Sequence, residues 1–267
     1  MAHFALSPAH SSLEHSDSDQ VWDSARFTSN ALSSADELAS VLDHTLLKAD
    51  ATRIDVVQLC QEAAEHRFAC AMVNPAWVAL AAEALAGTGI PVGVVLGFPL
   101  GATLAASKLD EAVRMLRLGA HDLDMVLNIG ALKSGTSSDF DTVRHEIRAV
   151  VEVAHDAGAI VKVILETYLL SFEEKLRASE LALAAGADFL KTSTGFATGG
   201  ASVDDIALLR EQAGSRAGVK ASGGIRSLAD ATAMLHAGAN RIGASASVRI
   251  LAEFAGRTSS LPSPAGY

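Results

Sequence analysis

The chain has 267 residues, 49% hydrophobic and 19% charged, with 31 acidic against 21 basic residues and a formal net charge of −10. That length suits one α/β barrel around a single large core, and the apolar content excludes wholesale disorder. An acidic chain with no run of basic residues is not built to neutralise nucleic-acid phosphates, and no stretch of ~18 uninterrupted apolar residues is available to cross a membrane.

Residues 1–33 are rich in Ser, Asp, Ala and His without periodicity, and are expected to be a solvated or loosely docked extension whose apolar Phe4, Trp22 and Phe27 could rest on the barrel or on a partner subunit. They lack the basic start and apolar stretch of a secretion signal, and the two cysteines, Cys60 and Cys70, are not needed as staples, so a reducing, cytoplasmic setting is expected.

From Ala35 onward short apolar runs alternate with segments of 3.6-residue period, the pattern of repeated βα units. Strands are expected near 40–44, 68–73, 91–97, 122–128, 160–166, 188–192, 218–222 and 240–244. Helices are expected near 52–66, 75–86, 103–118, 139–157, 171–185, 202–214, 227–237 and 246–254, opening at Thr52, Pro75, Thr103 and Ser227 among others. Eight such units predict a closed (β/α)8 TIM barrel, a single domain over 34–267 with a mobile C-terminal tail. The recurrent pairs Gly119-Ala120, Gly158-Ala159, Gly186-Ala187 and Gly238-Ala239 mark helix-to-strand turns, which places the active site at the opposite barrel end.

Charged residues inside strands that ought to be buried are the exceptions with a chemical meaning. Period two puts Asp122, Asp124, Val126 and Asn128 on one face of the fourth strand and Lys162, Ile164 and Glu166 on one face of the fifth, while Lys191 and Lys220 fall late in the sixth and seventh. Three lysines and Asp124 therefore converge on one cavity. A free lysine with pKa near ~10.4 is protonated at neutral pH and cannot attack a carbonyl. Partial burial and a second ammonium on the adjacent strand would lower the pKa of Lys191, with Asp124 placed to shuttle protons. The plainer reading is a structural ion pair between Asp124 and one lysine. The small-residue loops Thr192–Gly195, Ser222–Arg226 and Gly243–Ser245, after the last three strands, suit a phosphate held by backbone N–H groups.

At these residues the chain, from about Leu42 to Tyr267, resembles deoxyribose-phosphate aldolase. The segment 186–195 (GADFLKTSTG) is similar to the family's Schiff-base strand, 219–226 (VKASGGIR) to its second-lysine segment, and Leu123–Val126 to the strand bearing its proton-relay aspartate. The resemblance implies Lys191 as the imine-forming amine, Lys220 as the group that perturbs it and Asp124 as the relay. Leu42–Leu46 resembles the first strand, Lys162–Thr167 the fifth and Arg241–Ser245 the last phosphate loop. Asp43, Thr45 and Lys162 are thus expected to line the pocket, and Thr192, Gly195, Gly223, Gly224 and Ser245 to take the substrate's phosphate end. Tyr267 matches the family's C-terminal tyrosine, implied to swing over the site and assist enamine protonation.

The implied activity is reversible cleavage of 2-deoxy-D-ribose 5-phosphate to D-glyceraldehyde 3-phosphate and acetaldehyde in deoxyribonucleotide catabolism, without metal or cofactor, in a homodimer. Two departures stand out: Met72 where many members carry cysteine, suggesting resistance to unsaturated aldehydes, and Ala246 where a second serine is expected beside Ser245. A different Schiff-base aldolase or transaldolase-like enzyme, and a sugar-phosphate binder without chemistry, are the competing readings.

Overall fold

The computed structural model describes residues 34–256. The expectations for the 1–33 extension, the mobile tail and Tyr267 lie outside them. Eight parallel strands close into a barrel in chain order: β1 Leu42–Leu46, β2 Cys70–Val73, β3 Val92–Leu96, β4 Ala120–Val126, β5 Ile160–Ile164, β6 Phe189–Lys191, β7 Gly218–Ser222 and β8 Arg241–Ala244. The connecting helices are α1 Ala35–Ala39, α2 Arg53–His66, α3 Val78–Ala84, α4 Ala105–Arg117, α5 Ile129–Ser134, α6 Ser137–Asp156, α7 Phe172–Ala184, α8 Val203–Ala213, α9 Leu228–His236 and α10 Ser247–Phe254. No helix among the described residues is long and apolar enough to cross a membrane.

The helix starts follow local chemistry. Thr52 and Ser227 close reciprocal caps with Asp55 and Asp230. The helix expected from Pro75 begins as a short 3-10 turn over Pro75–Trp77, and that expected from Thr103 starts after Leu104, which has no side chain to cap it. The first strand lies two residues later than expected because Ser34 caps the short α1. Helix α5 was not expected; Asn128, read as a strand residue facing inward, instead caps it through Ala131 N at 3.0 Å. The four Gly-Ala turns are as expected, with φ of +100° at Gly119, +71° at Gly158, +92° at Gly186 and +113° at Gly238.

Two separate cores result. The large one lies between sheet and helices, filled by outward-facing strand residues such as Leu123, Met125, Val163 and Leu190. The inner one has an apolar side of Leu47, Cys70, Met72 and Val95, with Phe98 packed against it. Much of the rest of the interior is charged, beside the buried Val126, Ile164 and Phe189. Small residues make room for it: a Cβ on Gly243 would lie 3.0 Å from Lys220 Cε, and one on Gly218 would lie 2.2 Å from the ring of Phe189, which floors the barrel.

Candidate active site

Strand register brings the charged residues into one layered cluster. Asp124 pairs with Lys162, Lys191 with Lys220, and Lys220 with Arg241. Lys191 Nζ donates to Asp124 Oδ2 at 2.7 Å, and Lys220 Nζ donates to the same oxygen at 2.6 Å and to Asp43 Oδ2 at 2.5 Å. Lys162 Nζ lies 2.5 Å from Asp122 Oδ2 and 3.3 Å from Asp124 Oδ1. Arg241 Nη1 donates to Asp43 Oδ1 at 2.9 Å and stands 3.7 Å from Asp122 Oδ2. Lys162 and Arg241 both lie against the Phe189 ring, 5.8 and 5.6 Å from its centroid.

Burial sets the scale of every charge here, because a low dielectric penalises the ionised form and strengthens each pair. For Lys191 burial dominates; Asp124 opposes it and Lys220 adds to it, so the amine is pulled from 10.5 to about 8. Of the two expected causes, burial therefore does more than the neighbouring ammonium. Lys220 moves the other way: Asp124 and Asp43 together outweigh its desolvation and keep it charged. Burial would raise Asp43, but Lys220, Arg241 and Lys162 bring it to about 2. Asp124 is likewise held well below the usual carboxylate range, Lys191, Lys220 and Lys162 together overcoming its burial. The ion pair at Asp124 thus exists, but with three lysines rather than one.

The glycine loops also converge. Gly195, Gly223, Gly224 and Ser245 line one hollow of about 220 Å³ together with Gly199, Gly200 and Arg226. Gly195, Gly223 and Gly224 all have positive φ, and a Cβ on Gly200 would come within 2.3 Å of the Gly223 carbonyl, so the two loops touch through backbone alone. Thr45 and Ser245 border an adjoining hollow over β1 and α2. Thr192 is not brought to either hollow: it is buried, donating to Ser222 O and accepting from Ser222 N, both at 3.2 Å, and so ties β6 to β7.

Some residues carry more than the sequence indicated. Arg241 opens the segment expected to form the last phosphate loop, yet it points into the barrel and braces two of the interior carboxylates. Arg226 borders the glycine hollow, and its place directly after Gly223-Gly224-Ile225 was the available signal. Ser193 Oγ, Glu166 Oε1 and Thr167 Oγ1 are buried without a hydrogen-bond partner among the described residues. Glu166, expected beside Lys162, has φ +57° and turns away to accept from Thr194 N at 3.2 Å and from the Thr194 hydroxyl. Asp43, Cys70 and Asp122 could offer three metal ligands, but both carboxylates are already engaged by Lys220, Lys162 and Arg241, whose charges would repel a cation.

Fold and site define an α/β-barrel enzyme with a lysine–carboxylate centre in its interior. A family model described as DeoC/LacD family aldolase matches residues 38–256. The chain is similar to the deoxyribose-phosphate aldolase of Geobacillus sp. (strain WCH70), 53% identical over 214 residues that cover 80% of this chain and 94% of that one. It is 55% identical to the deoxyribose-phosphate aldolase of Aciduliprofundum boonei over 81% of this chain and 96% of that one. The tetrameric deoxyribose phosphate aldolase structure from Aeropyrum pernix superposes with a TM-score of 0.78 at 38% identity, covering 84% of this chain and 93% of that one. The chain belongs to the DeoC/LacD aldolase family.

Proposed function

We propose that the protein is a lyase that cleaves 2-deoxy-D-ribose 5-phosphate reversibly to D-glyceraldehyde 3-phosphate and acetaldehyde through an imine on Lys191. The observation that carries this reading is the buried Lys191 amine, pulled to about 8, 2.7 Å from Asp124 and on the strand that runs into the glycine loops. Near neutrality a useful fraction of that amine is unprotonated, which a free lysine does not offer.

The neutral amine adds to the C1 aldehyde of the open-chain sugar; loss of water from the carbinolamine leaves an iminium ion. A base removes the proton of the C3 hydroxyl, the C2–C3 bond breaks and its electron pair moves into the iminium, leaving an enamine. Glyceraldehyde 3-phosphate departs. Protonation of the enamine carbon and hydrolysis of the imine release acetaldehyde and restore the amine. Asp124 carries protons in the water-transfer steps, Lys220 supplies fixed positive charge, and Tyr267 assists the enamine protonation. The glycine loops with Arg226 and Ser245 hold the phosphate, and Asp43, Thr45 and Lys162 shape the sugar end. No metal or cofactor has a step in this sequence.

A cytoplasmic homodimer acting in deoxyribonucleotide breakdown completes the proposal; light scattering of the purified chain decides between a dimer and a tetramer like that of the Aeropyrum pernix relative. The central experiment is borohydride reduction in the presence of acetaldehyde, followed by peptide mass spectrometry. A reduced two-carbon adduct on Lys191, absent from Lys191→Ala, supports the reading. A folded protein with no adduct turns the assignment toward a different donor or a binder without chemistry.

A further inference from the structure

The interior ion pairs form a closed circuit. Going round it, Asp43 meets Lys220, Lys220 meets Asp124, Asp124 meets Lys162, Lys162 meets Asp122, Asp122 meets Arg241, and Arg241 returns to Asp43. Within the circuit each of these six residues has two partners of opposite sign within 4 Å. Lys191 hangs from the circuit by its single contact with Asp124.

Counting charge over all seven residues, four cations stand against three carboxylates, an excess of one. A buried net charge is costly, so one proton is under pressure to leave. Lys162 and Lys220 each answer to two carboxylates and Lys191 to one. Arginine does not release its proton in proteins.

We propose that Arg241 is a positioning residue of the Lys191 site: as the circuit's one cation that cannot deprotonate, it braces Asp43 and Asp122 and leaves Lys191 as the residue that gives up the odd proton. This rests on the reading of Lys191 as the imine-forming amine. The groups facing Lys191 are otherwise accounted for. Asp124 comes from β4, Lys162 from β5, Lys220 from β7 and Asp43 from β1. Inward positions on β3 are Gly93 and Val95. The β2 thiol of Cys70 is kept neutral by burial, with Asp122 and Asp43 adding to it. Glu166, past the end of β5, bonds Thr194, and the Lys175–Asp205 pair joins α7 to α8 outside the sheet.

Removing Arg241 leaves three lysines for three carboxylates, so balance is reached with Lys191 still an ammonium. Removing Asp122 has the opposite effect, an excess of two. The full-length chain is compared as wild type, Arg241→Met, Asp122→Asn and the double variant. The rate of reductive trapping of acetaldehyde is followed against pH, and the adduct is located by peptide mass spectrometry. The expected result is an acid limb displaced upward by about one pH unit or more in Arg241→Met, downward in Asp122→Asn, and returned close to wild type in the double variant, where three cations again face two carboxylates.

A residue that merely props the barrel would depress trapping at every pH, and the damage would add in the double variant. The inference is overturned if the adduct stays on Lys191 and the limb moves in neither single variant, or if the double variant lies further from wild type than either. Should Arg241→Met fail to fold, Asp122→Asn and the double variant, which removes both ends of one contact, still decide it. A wild-type adduct on another residue defeats the imine reading itself, and the two failures are distinguishable by that location.

Discussion

Lys191 Nζ donates to Asp124 Oδ2 at 2.7 Å, and Lys220 Nζ donates to that same oxygen at 2.6 Å. One carboxylate oxygen therefore answers both to the proposed nucleophile and to its charged neighbour. Converting it to an amide takes away the partner that keeps Lys191 protonated, so the amine, at about 8 in the intact site, falls further. Asp124→Asn is expected to trap acetaldehyde at lower pH than wild type, while turnover drops by roughly 10²–10⁴ because the proton carrier is gone. Trapping and steady-state turnover, measured on one preparation across pH, separate the two effects; an acid limb displaced upward contradicts the assignment.

The same burial makes the amine a stability liability. Its folded pKa, about 8, lies below the unfolded value of 10.5, so at neutral pH the unfolded chain holds that proton more tightly. The penalty is full below pH 8 and disappears as pH rises from 8 to 10.5. Lys191→Met keeps the volume and leaves a charge-balanced circuit of six. It is expected to raise the melting temperature at neutral pH by a few degrees, with an advantage that shrinks in alkaline buffer, while abolishing turnover. Calorimetry at neutral and alkaline pH checks this; a lower melting temperature at neutral pH means that the Lys191–Asp124 pair is net stabilising.

The closed barrel was legible because its units repeat, with four Gly-Ala turns at one end and charged residues at inward strand positions. Period two sufficed to bring Asp124, Lys162, Lys191 and Lys220 together. Their partners were not legible, since closing the circuit depends on barrel curvature: Lys220 meets Asp43 across 177 residues and Arg241 meets it across 198. Alternation also fails wherever the backbone leaves the strand, as at Glu166, whose positive φ turns it toward Thr194. Helices α1 and α5, of five and six residues, are too short to display a helical period.

Outside the sheet, Lys108 on α4 and Glu146 on α6 form a second buried pair at 2.9 Å, and Glu146 also accepts from Asn128 N at 2.7 Å. Burial pushes Lys108 down and Glu146 up, each only partly offset by the other. The lysine stem supports the turn after β3, where a Cβ on Gly97 would lie 3.0 Å from Lys108 Cε. Lys108→Ala is expected to cost on the order of 3 kcal/mol and Lys108→Met less, because the methionine keeps the stem. Losing the cation raises the folded pKa of Glu146 further above its unfolded value. The destabilisation should therefore be mild in acid and grow as pH rises through the folded pKa. Denaturant titrations at two pH values test this; equal losses at both would mean that Glu146 is neutral throughout.

Met72 and Cys70 share the inner face of β2, as period two required, and cluster there with Leu47 and with Val95 of β3. A thioether is no Michaelis nucleophile, so Met72 itself is inert toward unsaturated aldehydes formed from acetaldehyde. Cys70, on the same face, is the thiol that such an aldehyde could still meet. Burial, then Asp122 and Asp43, holds its thiol well above the ordinary value, and only the thiolate reacts. Prolonged acetaldehyde exposure is therefore expected to leave Cys70 unmodified and most of the activity intact, whereas Met72→Cys should lose activity in step with a covalent adduct at residue 72. Peptide mass spectrometry alongside residual activity decides it, and an adduct on Cys70 of the wild-type chain that tracks inactivation would show that burial does not protect the thiol.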